Sequence, residues 1–396
     1  MKSGKRILPP GLLQKRYRTH VYLLVSVVFF FLPVSGSGPA GLLLKEALCG
    51  QADNATRDAD RAYRLYSAGN ITEAGKIYSR LLKSSVCTPD VLNNLCAIHY
   101  LLGEFRQGED VCKRALKVSS TIHTPHFNLA LIYEKEKKYD SALKYFNKAL
   151  KIKSDHSPSW FHLGNVYHFK EECRLSIDMY NKALEYKMGL DDKTVADIYY
   201  NLGISYNDCG QHEKAVAAYE QALGFAGKNR AHIYYNLGNA CHKNKDHEKA
   251  IGWYLEAITE DGKYLDAYNN LGIAYFDSGN NEKAIEIYQK ALLIDPDNFE
   301  ILNNLGLSYH YEDRHESDVL AYEYFKKAHD IKPENIEVLQ SLAHVTEHLE
   351  SYDDAAFYYE ELLEIDPDNK RAQQTLDKLI QKMESFEPAQ GEENKR

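Results

Sequence analysis

The chain has 396 residues, a formal net charge of −9, 44% hydrophobic residues, 30 Tyr and 7 Cys. That is ample apolar material for a large core, and the negative balance argues against nucleic acid, which needs a basic track. The charge is unevenly placed: residues 1–45 hold seven cations and no anion, so residues 46–396 carry −16.

The first segment, residues 1–45, reads as targeting material. Val21–Leu32 is apolar except for Ser26, and a stretch of small residues and prolines from Pro33 to Ala40 follows. A basic lead, a short apolar run and a small-residue exit predict an export signal, cleaved after Gly36 or Ala40. Twelve residues fall short of the roughly 20 of a spanning helix. Extended through Val34, the run reads instead as an uncleaved anchor. Either way the basic lead stays in the cytoplasm and the remainder lies outside it, touching membrane only through this segment. A mitochondrial leader, equally basic and free of acids, is the alternative. Gly36-Ser-Gly38-Pro-Ala-Gly41 spells a dinucleotide-binding string, but at the exit of a targeting signal it lacks the strand and helix such a loop requires. Asn54-Ala-Thr56 and Asn70-Ile-Thr72 are glycosylation sequons.

From residue 55 the chain is periodic. Phe146-Asn-Lys-Ala-Leu150, Tyr180-Asn-Lys-Ala-Leu184, Tyr219-Glu-Gln-Ala-Leu223 and Tyr288-Gln-Lys-Ala-Leu292 are one phrase repeated. Its small or apolar residue falls at 81, 115, 149, 183, 222, 257, 291, 328 and 362, spacings of 34, 34, 34, 39, 35, 34, 37 and 34. Such a period predicts stacked helical hairpins. The most regular unit, Leu265 to Asn298, places Tyr268, Leu271, Gly272 and Tyr275 on one face of a first helix. Ala284, Tyr288 and Ala291 share a face of a second, and Pro296 closes the unit. Gly272 and Ala284 let the helices approach closely, and Gly279-Asn280 make the turn.

With these residues the chain resembles the tetratricopeptide-repeat (TPR) family over roughly four-fifths of its length. The expected architecture is all-α: an α-solenoid of nine helix–turn–helix units over residues 55–366, a C-terminal capping helix over 367–386, and a disordered tail at 387–396. Numbering each unit from its equivalent of Leu265, position seven is Leu in every unit but the first, where Arg61 weakens the case for a first helix. Additions of five residues near Met188–Thr194 and three near Asp313–Ser317 are expected to lengthen connections.

An odd number of cysteines in a large helical core argues against a disulfide framework. Cys96 takes the place of a Gly, Cys112 of an aromatic and Cys241 of a Tyr. Cys96 and Cys112 would face each other; buried free thiols are the expectation, with a disulfide between these two left open.

His344-Val-Thr-Glu347-His348 matches the H-x-x-E-H string of inverted zinc peptidases, in which two His share a metal and the Glu activates water. Here it falls on the first helix of the ninth unit, beside core positions Leu342 and Ala343, and a third ligand must come from repeat or cap residues. It is read as a solvated face. No catalysis, metal or cofactor is expected, and a zinc-dependent hydrolase is the minor alternative.

The resemblance implies that first helices line a binding groove. Position six would then carry a ladder: Asn94, Asn128, His162, Asn201, Asn236, Asn270, Asn304 and Ser341. A carboxamide both donates to and accepts from a peptide backbone, so the ladder suits an extended chain. It is similar to the asparagine ladder in the TPR part of O-linked N-acetylglucosamine transferase, without that enzyme's catalytic domain. Position five adds Phe127, Phe161, Tyr200 and Tyr235, and position two adds Asp90, Asp197, Asp266, Glu300 and Glu337. An aromatic, acidic groove fits a peptide with apolar and basic residues. A chaperone-type carboxylate clamp is not expected: Asn165 and Asn239 follow Phe161 and Tyr235 where that clamp needs Lys, and Glu300 stands where it needs a cation. The sequence therefore reads as a non-catalytic adaptor for a protein or peptide partner. A structural subunit of an envelope or organelle assembly, binding folded partners on the outer face, is the second reading.

Overall fold

The computed structural model describes residues 49–83, 88–227 and 230–386. The expected targeting segment, the expected tail, Cys87 and the side chains of Cys49 and Asn54 lie outside that description. Among the described residues there are 19 helices and no strand, and no helix is long and apolar enough to cross a membrane.

The chain divides near residue 228 into two compact units. The N-terminal one holds five hairpins: α1 (Cys49–Ser67) with α2 (Ile71–Lys83), α3 (Pro89–Leu101) with α4 (Phe105–Val118), and α5 (His123–Lys135) with α6 (Tyr139–Ile152). Then come α7 (Ser157–Phe169) with α8 (Cys173–Glu185) and α9 (Asp192–Asp208) with α10 (His212–Phe225). The C-terminal one holds four hairpins: α11 (Ala231–Lys243) with α12 (His247–Glu260), α13 (Leu265–Asp277) with α14 (Asn281–Leu292), α15 (Phe299–Tyr311) with α16 (His315–Ile331), and α17 (Ile336–His348) with α18 (Tyr352–Ile365). The closing helix α19 (Lys370–Phe386) packs on α18. Within each unit every second helix packs on the first helix of the next hairpin.

Local chemistry sets these ends. Thr88 caps α3 by accepting from the Val91 amide at 3.3 Å, with Pro89 at the start of the helix, where a missing N–H costs nothing. Asp191, Asn280, Asn298 and Asn335 cap α9, α14, α15 and α17 in the same way. Each hairpin turns on one left-handed residue at position fifteen: Gly69, Gly103, Gly210 and Gly279, but also Lys137, Glu171, Lys245, Asp313 and Glu350, at φ 53–84°.

The first hairpin corrects a sequence expectation. Arg61 is exposed, yet α1 forms, because Ala62 and Tyr66 bury its inner face against α2. The two additions also go elsewhere than expected. They enlarge helices: α9 and α16 each reach 17 residues, where the first helices α7 and α13 run to 13 and the second helix α14 to 12. Ala372, Leu376 and Leu379 bury one face of α19, while Ile380 is 40% exposed.

The cysteines depart from the free-thiol expectation. Cys96 and Cys112 form a disulfide within the second hairpin, with Cα atoms 5.3 Å apart. They hold the positions at which Gly and an aromatic ring meet in five other hairpins. A second disulfide, Cys173–Cys209, ties the start of α8 to the end of α9, at a Cα separation of 5.8 Å. Cys241 is buried.

Candidate functional site

Each residue of the expected groove can be followed to its place. The position-five aromatics pack inward against the position-24 aromatic of their own hairpin. Phe127 lies 5.9 Å from Phe146, Phe161 5.9 Å from Tyr180, Tyr200 5.8 Å from Tyr219 and Tyr235 6.1 Å from Tyr254, centroid to centroid. Phe127, Phe161 and Tyr200 are buried, so these rings hold the hairpin together and present little surface.

The asparagines of position six mostly reach back to the preceding repeat. Asn128 donates to Asn93 Oδ1 at 3.1 Å, Asn201 to Asn165 Oδ1 at 3.2 Å and Asn304 to Asn269 Oδ1 at 2.8 Å. Asn270 donates to Asn239 Oδ1 at 2.8 Å and to the Tyr235 hydroxyl at 3.1 Å. Asn94 donates to the Tyr78 hydroxyl at 3.1 Å, and Asn236 to the His232 carbonyl of its own helix at 3.0 Å. His162 pairs with Glu134 at 2.8 Å, and Ser341 bonds its own helix. Tyr180 and Tyr254 donate to Asn165 and Asn239, so each of these buried amides receives one hydroxyl and one asparagine. Most of the ladder's donors thus join repeats to one another.

Its acceptors are less fully used. Asn128 Oδ1 and Asn201 Oδ1 are buried without a hydrogen-bond partner among the described residues, and so is Asp197 Oδ2. Asp197 and Asn201 stand one turn apart on the same face of α9. Burial pushes the Asp197 carboxyl up from 3.8 to about 7; Lys193 opposes the rise and Asp191 adds to it. Asp266 and Glu300 are exposed on their helices.

On α17, Glu347 accepts from the Tyr359 hydroxyl at 2.6 Å, which ties it to α18. His344 and His348 meet a third imidazole that the sequence reading had no source for: His310, from the end of α15 in the preceding hairpin. The signal was available in the period, since His310 and His344 are 34 residues apart.

Four family models match the chain: tetratricopeptide-repeat models at residues 125–156, 194–259 and 336–369, and a TPR-repeat model at 273–311. With its hairpins, small-residue contacts and capping helix, the chain belongs to the tetratricopeptide-repeat family, a class of protein-interaction solenoid. A search of curated proteins finds no match. Among solved structures it is similar to YrrB, titled a TPR protein with an unusual peptide-binding site (23% identity, TM-score 0.41, 50% of this chain and 96% of that one). It is also similar to MamA (28%, 0.39, 44% and 90%) and to PilF of Pseudomonas aeruginosa (21%, 0.44, 56% and 97%).

Proposed function

We propose that the chain is a non-catalytic adaptor, exported or membrane-anchored, whose first-helix face takes an extended segment carrying a basic residue at α9. One observation carries the reading: Asp197 Oδ2 and Asn201 Oδ1 are acceptors one helical turn apart, buried and unmet among the described residues. An unsatisfied buried polar group costs about 1–3 kcal/mol, and a charged one more. A Lys or Arg side chain beside a backbone N–H supplies both missing donors. Asn201 Nδ2 is committed to Asn165 Oδ1 of the preceding repeat, which leaves its Oδ1 for the ligand.

The compartment reading is supported by Cys96–Cys112 and Cys173–Cys209, since disulfides persist where the surroundings are oxidising. Asn70, in the second sequon, is exposed in the turn between α1 and α2.

The test is fluorescence anisotropy with labelled 12-residue peptides that alternate Lys and Leu, against matched peptides with Glu for Lys. Preferential binding of the Lys set, weakened about tenfold or more by Asp197→Asn, is expected. Equal binding of both sets, or no effect of Asp197→Asn, removes the reading. Attention then turns to folded partners at the exposed Leu175, Leu255 and Phe357 of the second helices. Alkylation of protein from its native cell tests the compartment: reactive thiols at Cys173 and Cys209 would contradict it.

A further inference from the structure

Two successive hairpins bring three imidazoles together. His310 stands at the end of α15, and His344 and His348 lie one turn apart on α17. One ligand nitrogen from each lies within 4.8 Å of the others. His310 Nε2 and His344 Nδ1 are 3.1 Å apart, and the ring centroids are separated by 5.2, 4.9 and 5.0 Å. A tetrahedral zinc ion with bonds of about 2.0–2.1 Å holds its ligand nitrogens about 3.3 Å apart, so small rotamer adjustments complete the set.

A buried carboxylate backs the cluster. Asp318, on α16, is 4% exposed. Its Oδ1 lies 2.5 Å from His310 Nδ1 and its Oδ2 3.4 Å from His348 Nδ1. A carboxylate on the inner nitrogen fixes the tautomer, turns Nε2 to the ligand role and raises its basicity. One Asp thus orients two of the three imidazoles, an arrangement that a chance surface group of His does not require.

We propose that His310, His344 and His348 hold one zinc ion, with Asp318 behind them, and that the ion clips the eighth hairpin to the ninth. His344 is exposed, so the fourth position faces solvent. Glu347, the residue that would activate water in a peptidase, is engaged by Tyr359, which makes this a binding site and not a hydrolytic one. A second group, His242, His247 and Asp277, serves as an internal comparator. It offers two imidazoles, and His242 Nε2 already meets Asp277 at 2.9 Å.

The test is zinc titration of the purified intact protein by calorimetry, with thermal unfolding followed in parallel. One equivalent is expected to bind and raise the unfolding temperature. His344→Ala, at an exposed helical site, keeps the circular dichroism spectrum and weakens binding tenfold or more. Asp318→Asn weakens it about 10–100-fold. His247→Ala leaves it unchanged, and cobalt(II) in place of zinc gives visible bands of tetrahedral intensity. No uptake at stoichiometric zinc overturns the proposal, as does uptake unchanged in the double variant His344→Ala, His348→Ala.

Discussion

The ring of Tyr288 fills the space that a side chain at Gly272 would need: a Cβ there would meet Tyr288 Cε1 at 2.3 Å and Cζ at 2.4 Å. Gly164 and Tyr180, Gly203 and Tyr219, Gly238 and Tyr254, and Gly306 and Phe325 stand in the same relation. This contact sets how closely these five hairpins close. Gly272→Ala gains up to about 1 kcal/mol of helix propensity but must displace a fully buried ring. A net loss of about 1–3 kcal/mol is expected, with faster hydrogen exchange in α13, α14 and their neighbours, because repeats contact only neighbours. Exchange that rises evenly through both units would contradict it.

That joint was legible in the sequence, because sterics between positions 8 and 24 leave a pattern of Gly and Tyr at fixed spacing. The groove was not legible to the same degree. Asn128, Asn201 and Asn270 carry the residue type a peptide clamp needs, and it is also the type that bonds one repeat to the next. Periodicity cannot say which way an amide points. Cys173–Cys209 escaped notice because its partners belong to different hairpins. In the repeat frame, however, they sit at positions 17 and 14 of neighbouring units, beside the same turn end. His310 was missed for the same reason: its neighbours are one period away along the chain.

The left-handed turn residue gives a stabilising substitution. Glu171 sits at φ 60°, where a Cβ is strained and glycine is not. Glu171→Gly relieves about 1–2 kcal/mol of backbone strain and forfeits part of it to unfolded-chain entropy. A gain of about 0.5–1 kcal/mol in urea unfolding is expected, and a loss would show that the Glu171 side chain holds the turn.

Reduction should weaken the N-terminal unit. Cys173–Cys209 closes a chain separation of 36 residues, and a cross-link of that span stabilises by about 2–4 kcal/mol. Cys173→Ser with Cys209→Ser should lower the unfolding temperature of the oxidised protein to near that of the reduced protein for this segment. Coincident melts with and without reductant would count against both disulfides.

Loss of a ladder asparagine should cost stability even with no partner present. Asn270→Ala deletes two bonds, to Asn239 Oδ1 and the Tyr235 hydroxyl, each worth about 0.5–1.5 kcal/mol net. Alanine favours the helix, so the loss is one of contact between hairpins and not of helicity. Denaturant unfolding should shift its midpoint down while the circular dichroism of the native state is unchanged. An unaltered midpoint would mean that Asn270 is free for a ligand after all.

Asp197 supplies a pH signature that joins stability to binding. Burial raises its carboxyl from 3.8 to about 7 in the folded chain. The folded state therefore binds the extra proton between those values, so the contribution of this group to stability is greatest below about pH 4 and declines as pH rises to about 7. The full span amounts to at most about 4 kcal/mol. Asp197→Asn should flatten this slope and stabilise the chain at pH 8. A basic residue docked beside the carboxylate has the opposite action: it favours the charged form and pulls the pKa down. Binding of a Lys-containing peptide at about pH 6 should thus release close to one proton, and at pH 9 almost none. Calorimetry in two buffers of different ionisation enthalpy reads that proton directly. Identical heats in both buffers at pH 6, with the peptide bound, would place the basic residue somewhere other than Asp197.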